Sequence, residues 1–450
     1  MKKVILLLIL LLGSGCFAFD IVYPQKNEVV INAKSSFFIG SSDKPLKING
    51  KDIPVHQSGG FAYYVELNDG KNIFVIQNED KKEIFIITKP DIIHKQTKAV
   101  NTTEYIEPKT YEIINNNTPL RSTPLNSGIN RISHFQRNIL INVNGEKNGF
   151  YRVILDNNNY GWISKTDAKL SNTVLELINI PEYEKYEDKD FLTHIFHLEK
   201  KVPYKITEND SVKLEIFNIK DCPNNTYTIE IPVSDIGKAI FGYEGKYTEN
   251  DFVLKVRKYP DINSKKPLKN IKISLDAGHG GTEKGAIGCL GHTEKDINLS
   301  LVKNLETELK KRGAKVFLTR DDDIYVGLKD RVEKSNNENS HIFISIHGNA
   351  LPDGYDPNQH SGTSIYYYYD QARPLAENIL KTMVTDLKLC DDKVRQGSLA
   401  VVRNTYAPSI LIEVAYLINP EDNSKLITPE FQQECAKAIA DGIEKYFSEI

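Results

Sequence analysis

From about residue 270 onward, short apolar runs alternate with amphipathic stretches, and this alternation constrains the fold more than any other feature of the sequence. The runs IKISLDA, AKVFLTR, HIFISIH, SIYYYY and SILIEVAYL are largely apolar without strict alternation, as in strands that are covered on both faces. After the first run, apolar residues recur every four positions from Ile297 to Leu309, and Gly313 then stops the predicted helix. We therefore predict an α/β domain with a largely parallel sheet over residues 270–450.

Much of the chain from 20 to 258 instead alternates apolar and polar side chains at every second position, as strands with one exposed face do. The passage FFIGSSDKPLKINGKDIPVHQSGGFAYYVELNDGKNIF has Asn-Gly and Gly-Gly turns and resembles bacterial immunoglobulin-like modules. This pattern predicts a small β-sandwich over residues 20–90. Residues 91–110 are polar and have no clear period, so we expect a linker there.

Two further β domains are predicted between this linker and the α/β domain. Residues 111–170 end in GFYRVILDNNNYGWIS, which resembles a bacterial Src-homology-type β-barrel. Residues 172–258 contain THIFHLEKKVPYKI, which resembles the AMIN module, a β-rich domain that binds peptidoglycan. The predicted fold class is therefore multidomain, with three small all-β domains (immunoglobulin-like, Src-homology-type and AMIN-like) ahead of one α/β domain.

The N-terminus, MKKVILLLILLLGSGCFAFD, places two lysines before nine apolar residues and then small residues. This predicts a signal peptide over residues 1–18, because the apolar run is too short to span a bilayer. Two processing outcomes are open. We favour simple cleavage after Ala18, and the alternative is a lipid anchor at Cys16. No later segment is apolar enough to span a membrane, so we expect an exported protein of the periplasm, the cell envelope or the exterior.

The formal net charge of −3 excludes one class of partner, because a nucleic-acid-binding protein needs a basic surface. The cysteines that follow the signal peptide contain no CxxC pair and suggest neither a disulfide framework nor a zinc ribbon. We expect free thiols and a monomeric chain.

Polar residues interrupt the apolar runs of the α/β domain at three strand ends. His279 follows ISLDAG, His347 ends HIFISIH and is followed by Gly348 and Asn349, and Glu413 lies within SILIEVAYL. Ligands of open α/β sheets gather at the carboxyl ends of the strands. A fourth polar residue, Glu294, begins the predicted helix.

Two histidines and a carboxylate are a common ligand set for catalytic zinc, which lowers the pKa of water to about 7. The residues therefore suggest zinc at His279, Glu294 and His347, with Glu413 as the group that transfers protons. His292 is a rival for the place of Glu294 as a ligand.

Simpler interpretations stay open for each residue. The glycine-rich turn around His279 could bind phosphate, although no GxGxxG or Walker motif is present. Glu294 could be a favourable charge on the first turn of a helix. Glu413 could pair with Arg320 or Arg403.

The ordered motifs DAGHGG, EKDINL, LTRDDD, SIHGNA and LIEVAYL resemble the zinc-dependent N-acetylmuramoyl-L-alanine amidases of the Amidase_3 type. The resemblance covers about 180 residues and implies the same assignment, zinc on His279, Glu294 and His347 with Glu413 as acid and base. Ala415-Tyr416 stands where that family usually has Gly-Phe, which keeps a small residue before an aromatic one.

The resemblance implies cleavage of the amide bond between N-acetylmuramic acid and L-alanine in peptidoglycan. Arg403 and Asn349 are predicted substrate contacts by their positions alone. Two alternatives remain. One is a zinc peptidase that cuts within the stem peptide, and the other is a non-catalytic peptidoglycan-binding protein.

Overall fold

The computed structural model describes residues 19–91 and 101–449. The predicted signal peptide, and Cys16 with its alternative lipid anchor, lie outside these residues. Within the described part of the chain, no helix is both long and apolar enough to cross a membrane. The cysteines described there are free: Cys222, Cys289, Cys390 and Cys435.

The first module is a β-sandwich of two sheets that share one core. The strands are β1 (Phe19–Tyr23), β2 (Glu28–Val30), β3 (Ser35–Ser42), β4 (Leu46–Ile48), β5 (Lys51–Ile53), β6 (Gly60–Glu66), β7 (Gly70–Gln77) and β8 (Lys82–Lys89). Their orders are β1-β3-β6 and β2-β8-β7-β4-β5. Phe38 of one sheet packs against Phe74 and Phe85 of the other, with ring centroids 5.3 and 5.4 Å apart. The alternation seen in the sequence thus places one face of each sheet in this core.

The second module is one seven-stranded sheet. Its strands are β9 (Thr103–Ile113), β10 (Thr118–Arg121), β11 (Arg131–Phe135), β12 (Leu140–Lys147), β13 (Phe150–Ile154), β14 (Tyr160–Ser164) and β15 (Ala168–Leu170), in the order β11-β10-β14-β13-β12-β9-β15. The predicted linker of 91–110 is wrong for its last residues, because β9 starts at Thr103 and pairs with β12. The first part of β9, which falls in the predicted linker, is largely exposed on both faces. Its sequence therefore shows no alternation of apolar and polar side chains.

The third module has two sheets and one short helix. Its elements are β16 (Glu182–Glu187), β17 (Phe191–His197), β18 (Tyr204–Glu208), β19 (Ser211–Phe217), β20 (Thr226–Pro232), α1 (Val233–Ile236), β21 (Tyr243–Thr248) and β22 (Asp251–Arg257). The sheet orders are β16-β17-β22-β21 and β18-β19-β20. Buried side chains of the second and third modules form one continuous apolar cluster, so the two modules share a core.

The C-terminal domain has a six-stranded sheet covered by helices. Its elements are β23 (Lys272–Ala277), α2 (Glu294–Lys311), β24 (Lys315–Leu318), α3 (Leu328–Asn337), β25 (Ile342–Asn349), β26 (Thr363–Tyr367), α4 (Arg373–Leu387), β27 (Asp391–Gln396), β28 (Ser409–Tyr416), α5 (Pro420–Leu426) and α6 (Pro429–Glu449). The strand order is β24-β23-β25-β28-β26-β27, and only the β26–β28 pair is antiparallel. The predicted α/β domain with a largely parallel sheet is confirmed.

Helix α2 shows how the sequence pattern sets this packing. The predicted stripe from Ile297 to Leu309 is buried, and these apolar side chains join the core of the sheet. Gly313, just beyond the helix, has a φ of +91°, a conformation that suits glycine at a helix end. Because β23, β25 and β28 run parallel, their carboxyl ends meet at one edge of the sheet, where α2 also begins.

The first and third modules contact opposite ends of the parallel strands of this sheet. At the edge with the strand carboxyl ends, the first module contacts the loop after β25, where Asp353 accepts hydrogen bonds from Tyr23 at 2.8 Å and Ser36 at 2.6 Å. The third module lies near the start of β28, where Arg257 donates to the carbonyl oxygen of Tyr406 at 3.2 Å. The site described next lies at the same end of the strands as the contact with the first module.

Candidate metal centre

His279 lies in the turn after β23 and has a left-handed backbone conformation, with a φ of +61°. Gly280 and Gly281 follow with φ values of +131° and +59°, which glycine adopts without steric cost. The carbonyl oxygen of His279 accepts a hydrogen bond from Arg331 at 2.8 Å. The turn is therefore sharp and is fixed by a buried guanidinium group.

The backbone N–H groups of this turn are engaged inside the protein. Gly280 donates to the carbonyl oxygen of Glu283 at 2.9 Å, and Gly281 donates to a carboxylate oxygen of Asp323 at 2.7 Å. A phosphate-binding loop instead directs free N–H groups at its ligand. The geometry counts against the phosphate interpretation of the glycines.

Glu294 is the first residue of α2, and only 5% of it is exposed. Its carboxylate accepts hydrogen bonds from the N–H groups of Ala286 at 2.8 Å and Gly348 at 3.3 Å. Burial alone would raise the pKa of Glu294, but the side chains of His279 and His347 outweigh this and hold the pKa well below its usual range. Glu294 is thus a carboxylate fixed toward two histidines.

The three side chains converge on one point. Nε2 of His279 lies 3.1 Å from Oε1 of Glu294, and Nδ1 of His347 lies 2.9 Å from the same oxygen. Ligand atoms of all three lie within 4.8 Å of one another. Two ligands of a tetrahedral zinc ion, with bonds of about 2.0–2.1 Å, are about 3.3 Å apart. The donor set and its spacing therefore fit a metal ion.

Two glycines leave the space that this arrangement needs. A Cβ atom on Gly278 would lie 2.2 Å from Cε1 of His347, and one on Gly285 would lie 2.4 Å from Oε2 of Glu294. Both distances are far inside van der Waals contact. The glycine-rich sequence thus lets the chain pass directly behind the ligand side chains.

Glu413 lies beside this cluster, opposite His347 in the parallel pair of β25 and β28. Its Oε2 is buried and has no hydrogen-bond partner among the described residues. Burial raises the pKa of Glu413 to about 7, with His347 opposing and Glu294 adding to this shift. A carboxyl group with such a pKa can both accept and donate a proton near neutral pH.

Three buried residues that the sequence interpretation did not assign to the site support its turn. Asp276 binds Arg331 at 2.7 Å, and the two side chains are 1–2% exposed. Arg320 donates to the carbonyl oxygens of Ala277 and Gly278 at 2.8 and 3.0 Å. For Asp276 in DAGHGG and Arg320 in LTRDDD, the sequence did carry a signal of this role. A charged residue next to an apolar run is expected to be buried and then needs a partner.

The structure places the remaining candidates elsewhere. His292 is exposed and lies outside the three-residue cluster. Arg320 is occupied by backbone carbonyls and does not pair with Glu413. Arg403 precedes β28, at the opposite end of that strand from Glu413, and donates to Ser398. Asn349 ends β25, two residues after His347, so it stays a predicted substrate contact.

An α/β domain that gathers two histidines and two glutamates where the carboxyl ends of its parallel strands meet is typical of the metal-dependent hydrolases. The family model described as N-acetylmuramoyl-L-alanine amidase, Amidase_3, matches residues 273–445. The chain belongs to this family, and its C-terminal domain is a peptidoglycan amidase. The family inferred from the sequence motifs is confirmed.

Three similar proteins illustrate the extent of the match. YqiI of Bacillus subtilis (strain 168), described as uncharacterized, is 34% identical over 194 residues, or 42% of this chain and 91% of YqiI. LytH of Staphylococcus aureus, a probable cell wall amidase, is 36% identical over 190 residues, or 42% of this chain and 62% of LytH. The solved structure of the N-acetylmuramoyl-L-alanine amidase AmiC2 of Nostoc punctiforme is 35% identical in sequence. The match covers 41% of this chain and 98% of the AmiC2 chain, with a TM-score of 0.38.

Proposed function

We propose that the protein hydrolyses the amide bond between N-acetylmuramic acid and L-alanine with zinc held by His279, Glu294 and His347. The observation that carries the proposal is the convergence of these three donors beside the unpartnered Oε2 of Glu413. When bound, zinc supplies Lewis-acid chemistry, which polarises a carbonyl oxygen and lowers the pKa of water to about 7.

Glu413 is proposed as the residue that moves the protons of the reaction. Its carboxylate accepts a proton from the attacking water and then donates it to the L-alanine nitrogen, which leaves as an amine. Both transfers need a group whose pKa is near the working pH, and burial raises the pKa of Glu413 to about 7. Because no group in the described part of the chain hydrogen-bonds to Oε2, this oxygen is available to a substrate or a water molecule.

The buried arginines are proposed to hold the first ligand in position. Arg331 donates to the carbonyl oxygen of His279, and Arg320 binds the backbone just before it. These hydrogen bonds are proposed to hold the turn in one conformation whether or not zinc is bound. Ligand orientation by supporting hydrogen bonds is a general requirement of metal sites.

The N-terminal modules are proposed to bind the cell wall outside the cytoplasm. The resemblance of residues 20–90, 111–170 and 172–258 to immunoglobulin-like, Src-homology-type and AMIN modules supports this role. The signal peptide proposed for residues 1–18 supports export to the cell envelope. Peptidoglycan would then be both the anchoring surface and the substrate.

A digest of purified peptidoglycan by the full-length protein tests the proposed reaction. We expect new L-alanine amino termini and intact glycan strands, and we expect a chelator to stop the reaction until zinc is restored. Release of D-amino acids or cut cross-links would instead indicate the peptidase alternative. Unchanged activity after exhaustive metal removal would contradict the zinc assignment, and binding without any cleavage would support the non-catalytic alternative.

A further inference from the structure

A cavity of about 180 Å³ lies where the second module, the third module and the C-terminal domain meet. It is remote in the fold from the metal centre, because its C-terminal-domain residues lie near the start of β28 rather than its end. The lining side chains that matter here are Arg131 and His134, Tyr204 and Tyr243, and Tyr369 and Arg403, two from each of the three units.

Positive charge collects at this cavity. Burial, as the largest cause, and the nearby charges of Arg131, Arg403 and Arg121 together lower the pKa of His134 to about 4. The histidine is therefore neutral near pH 7 and offers no negative charge to the three arginines. Burial and the charge of Arg131 likewise hold the pKa of Arg403 below its usual range.

No carboxylate within the described residues pairs with these arginines. Arg121 is bound by neutral groups, among them the carbonyl oxygen of Ser127 and the amide oxygen of Asn130. Arg403 donates to Ser398. Nε of Arg131 is buried and has no hydrogen-bond partner among the described groups, while its Nη1 lies 3.4 Å from Nε2 of the neutral His134.

The nearby carboxylates leave this charge in place. The charge of Asp167 slightly opposes the lowering of the pKa of Arg121, but the two side chains do not form an ion pair. Glu208 lies near Tyr243 and Tyr369 and raises the pKa of both hydroxyls. Burial raises the pKa of Glu208 itself to about 7, so this carboxyl is only partly charged near neutral pH. Arg131 and Arg403 are partly buried. Guanidinium groups that are partly withdrawn from water and contact only neutral partners are unfavourable unless a counter-charge is supplied.

We propose that this cavity binds one small oxyanion, a phosphate-type or carboxylate group, between Arg131 and Arg403. Guanidinium groups offer paired N–H donors that match the two oxygens of such anions. The volume suits a small group, because pockets for drug-sized ligands measure about 300–1,000 Å³. Tyr204 is held in place beside the cavity, since its hydroxyl donates to the carbonyl oxygen of His134 at 2.9 Å.

Calorimetric titration of the zinc-loaded, full-length protein tests this site. Inorganic phosphate and acetate serve as separate probes at constant ionic strength, so that a free inorganic anion is distinguished from a carboxylate. We expect at least one of them to bind with one anion per chain. Arg131→Gln should weaken that binding about tenfold or more, because a charge-assisted hydrogen bond contributes about 1.5–3 kcal/mol and 1.4 kcal/mol is a factor of ten.

Arg137→Gln is the matched control, because Arg137 is an exposed arginine of the same module. It should leave the binding unchanged. Arg403→Gln should weaken binding as Arg131→Gln does, which keeps the test open if one variant fails to fold. Binding that persists in both variants would assign the anion to another site and overturn the proposal, as would the absence of binding by either probe.

Discussion

Glu413 and His347 are register partners on two neighbouring parallel strands, β28 and β25. The backbone of the sheet therefore sets the position of the proposed proton carrier relative to a proposed zinc ligand, without help from a loop. Sites built on strands are held more tightly than sites built on loops. This relationship is the basis of the first prediction.

Glu413→Gln should lower amidase activity by about 10²–10⁴-fold, because the amide cannot accept and return a proton. The zinc content of the purified variant should stay the same as in the wild type, since Glu413 is not one of the three converging ligands. Release of L-alanine amino termini and metal analysis together measure both effects. Glu421→Gln, a change at an exposed glutamate, is the control, and comparable activity in the two variants would contradict the role of Glu413.

Glu294→Gln should reduce zinc affinity, because the substitution removes the negative charge that draws both histidines together. His292→Ala should retain zinc, since His292 is exposed and only two residues away in sequence. Competition with a chromogenic chelator measures the affinity of each variant. Zinc lost from His292→Ala and kept by Glu294→Gln would reverse the ligand assignment.

Arg331→Met should destabilise the C-terminal domain by about 3–5 kcal/mol, because it leaves the buried carboxylate of Asp276 without its ion pair. Lys329→Met removes an exposed cation of the same helix, and its effect should be within about 0.5 kcal/mol. Denaturant unfolding of the two variants provides the comparison. Equal stability would show that Asp276 does not depend on Arg331.

Acid should weaken the third module through His194. Burial lowers the pKa of His194 to about 4, below the unfolded value of about 6.5, so the unfolded chain binds the proton first. This contribution to stability is complete above pH 6.5 and is lost as the pH falls toward 4. His194→Phe should flatten that part of the stability profile measured by urea unfolding.

His197→Phe is the matched control for this pH effect. His197 is only partly buried, and the carboxylate of Asp251, 2.9 Å away, raises its pKa. Its contribution has the opposite sign, since it is present at low pH and is lost as the pH rises through the raised pKa. A profile that His194→Phe leaves unchanged would exclude His194 as the acid-sensitive group.

The sequence predicted what local periodicity and strand-end chemistry determine. The stripe of α2 and the positions of His279, Glu294 and His347 follow from spacing along a parallel sheet. The support from Arg331 could not be predicted, because Arg331 meets the turn only through tertiary packing. Strand β9 and the shared core of the second and third modules depend on pairing between distant segments, which leaves no local pattern.

The hydrogen bond between Tyr23 and Asp353 joins residues that are 330 positions apart in the chain. Contacts of such long separation form late, because the intervening chain must first be ordered. The first module can therefore fold early as its own unit, but it can dock only after the sheet that carries His347 exists. The docked first module then fixes the loop that follows β25, the strand that carries His347.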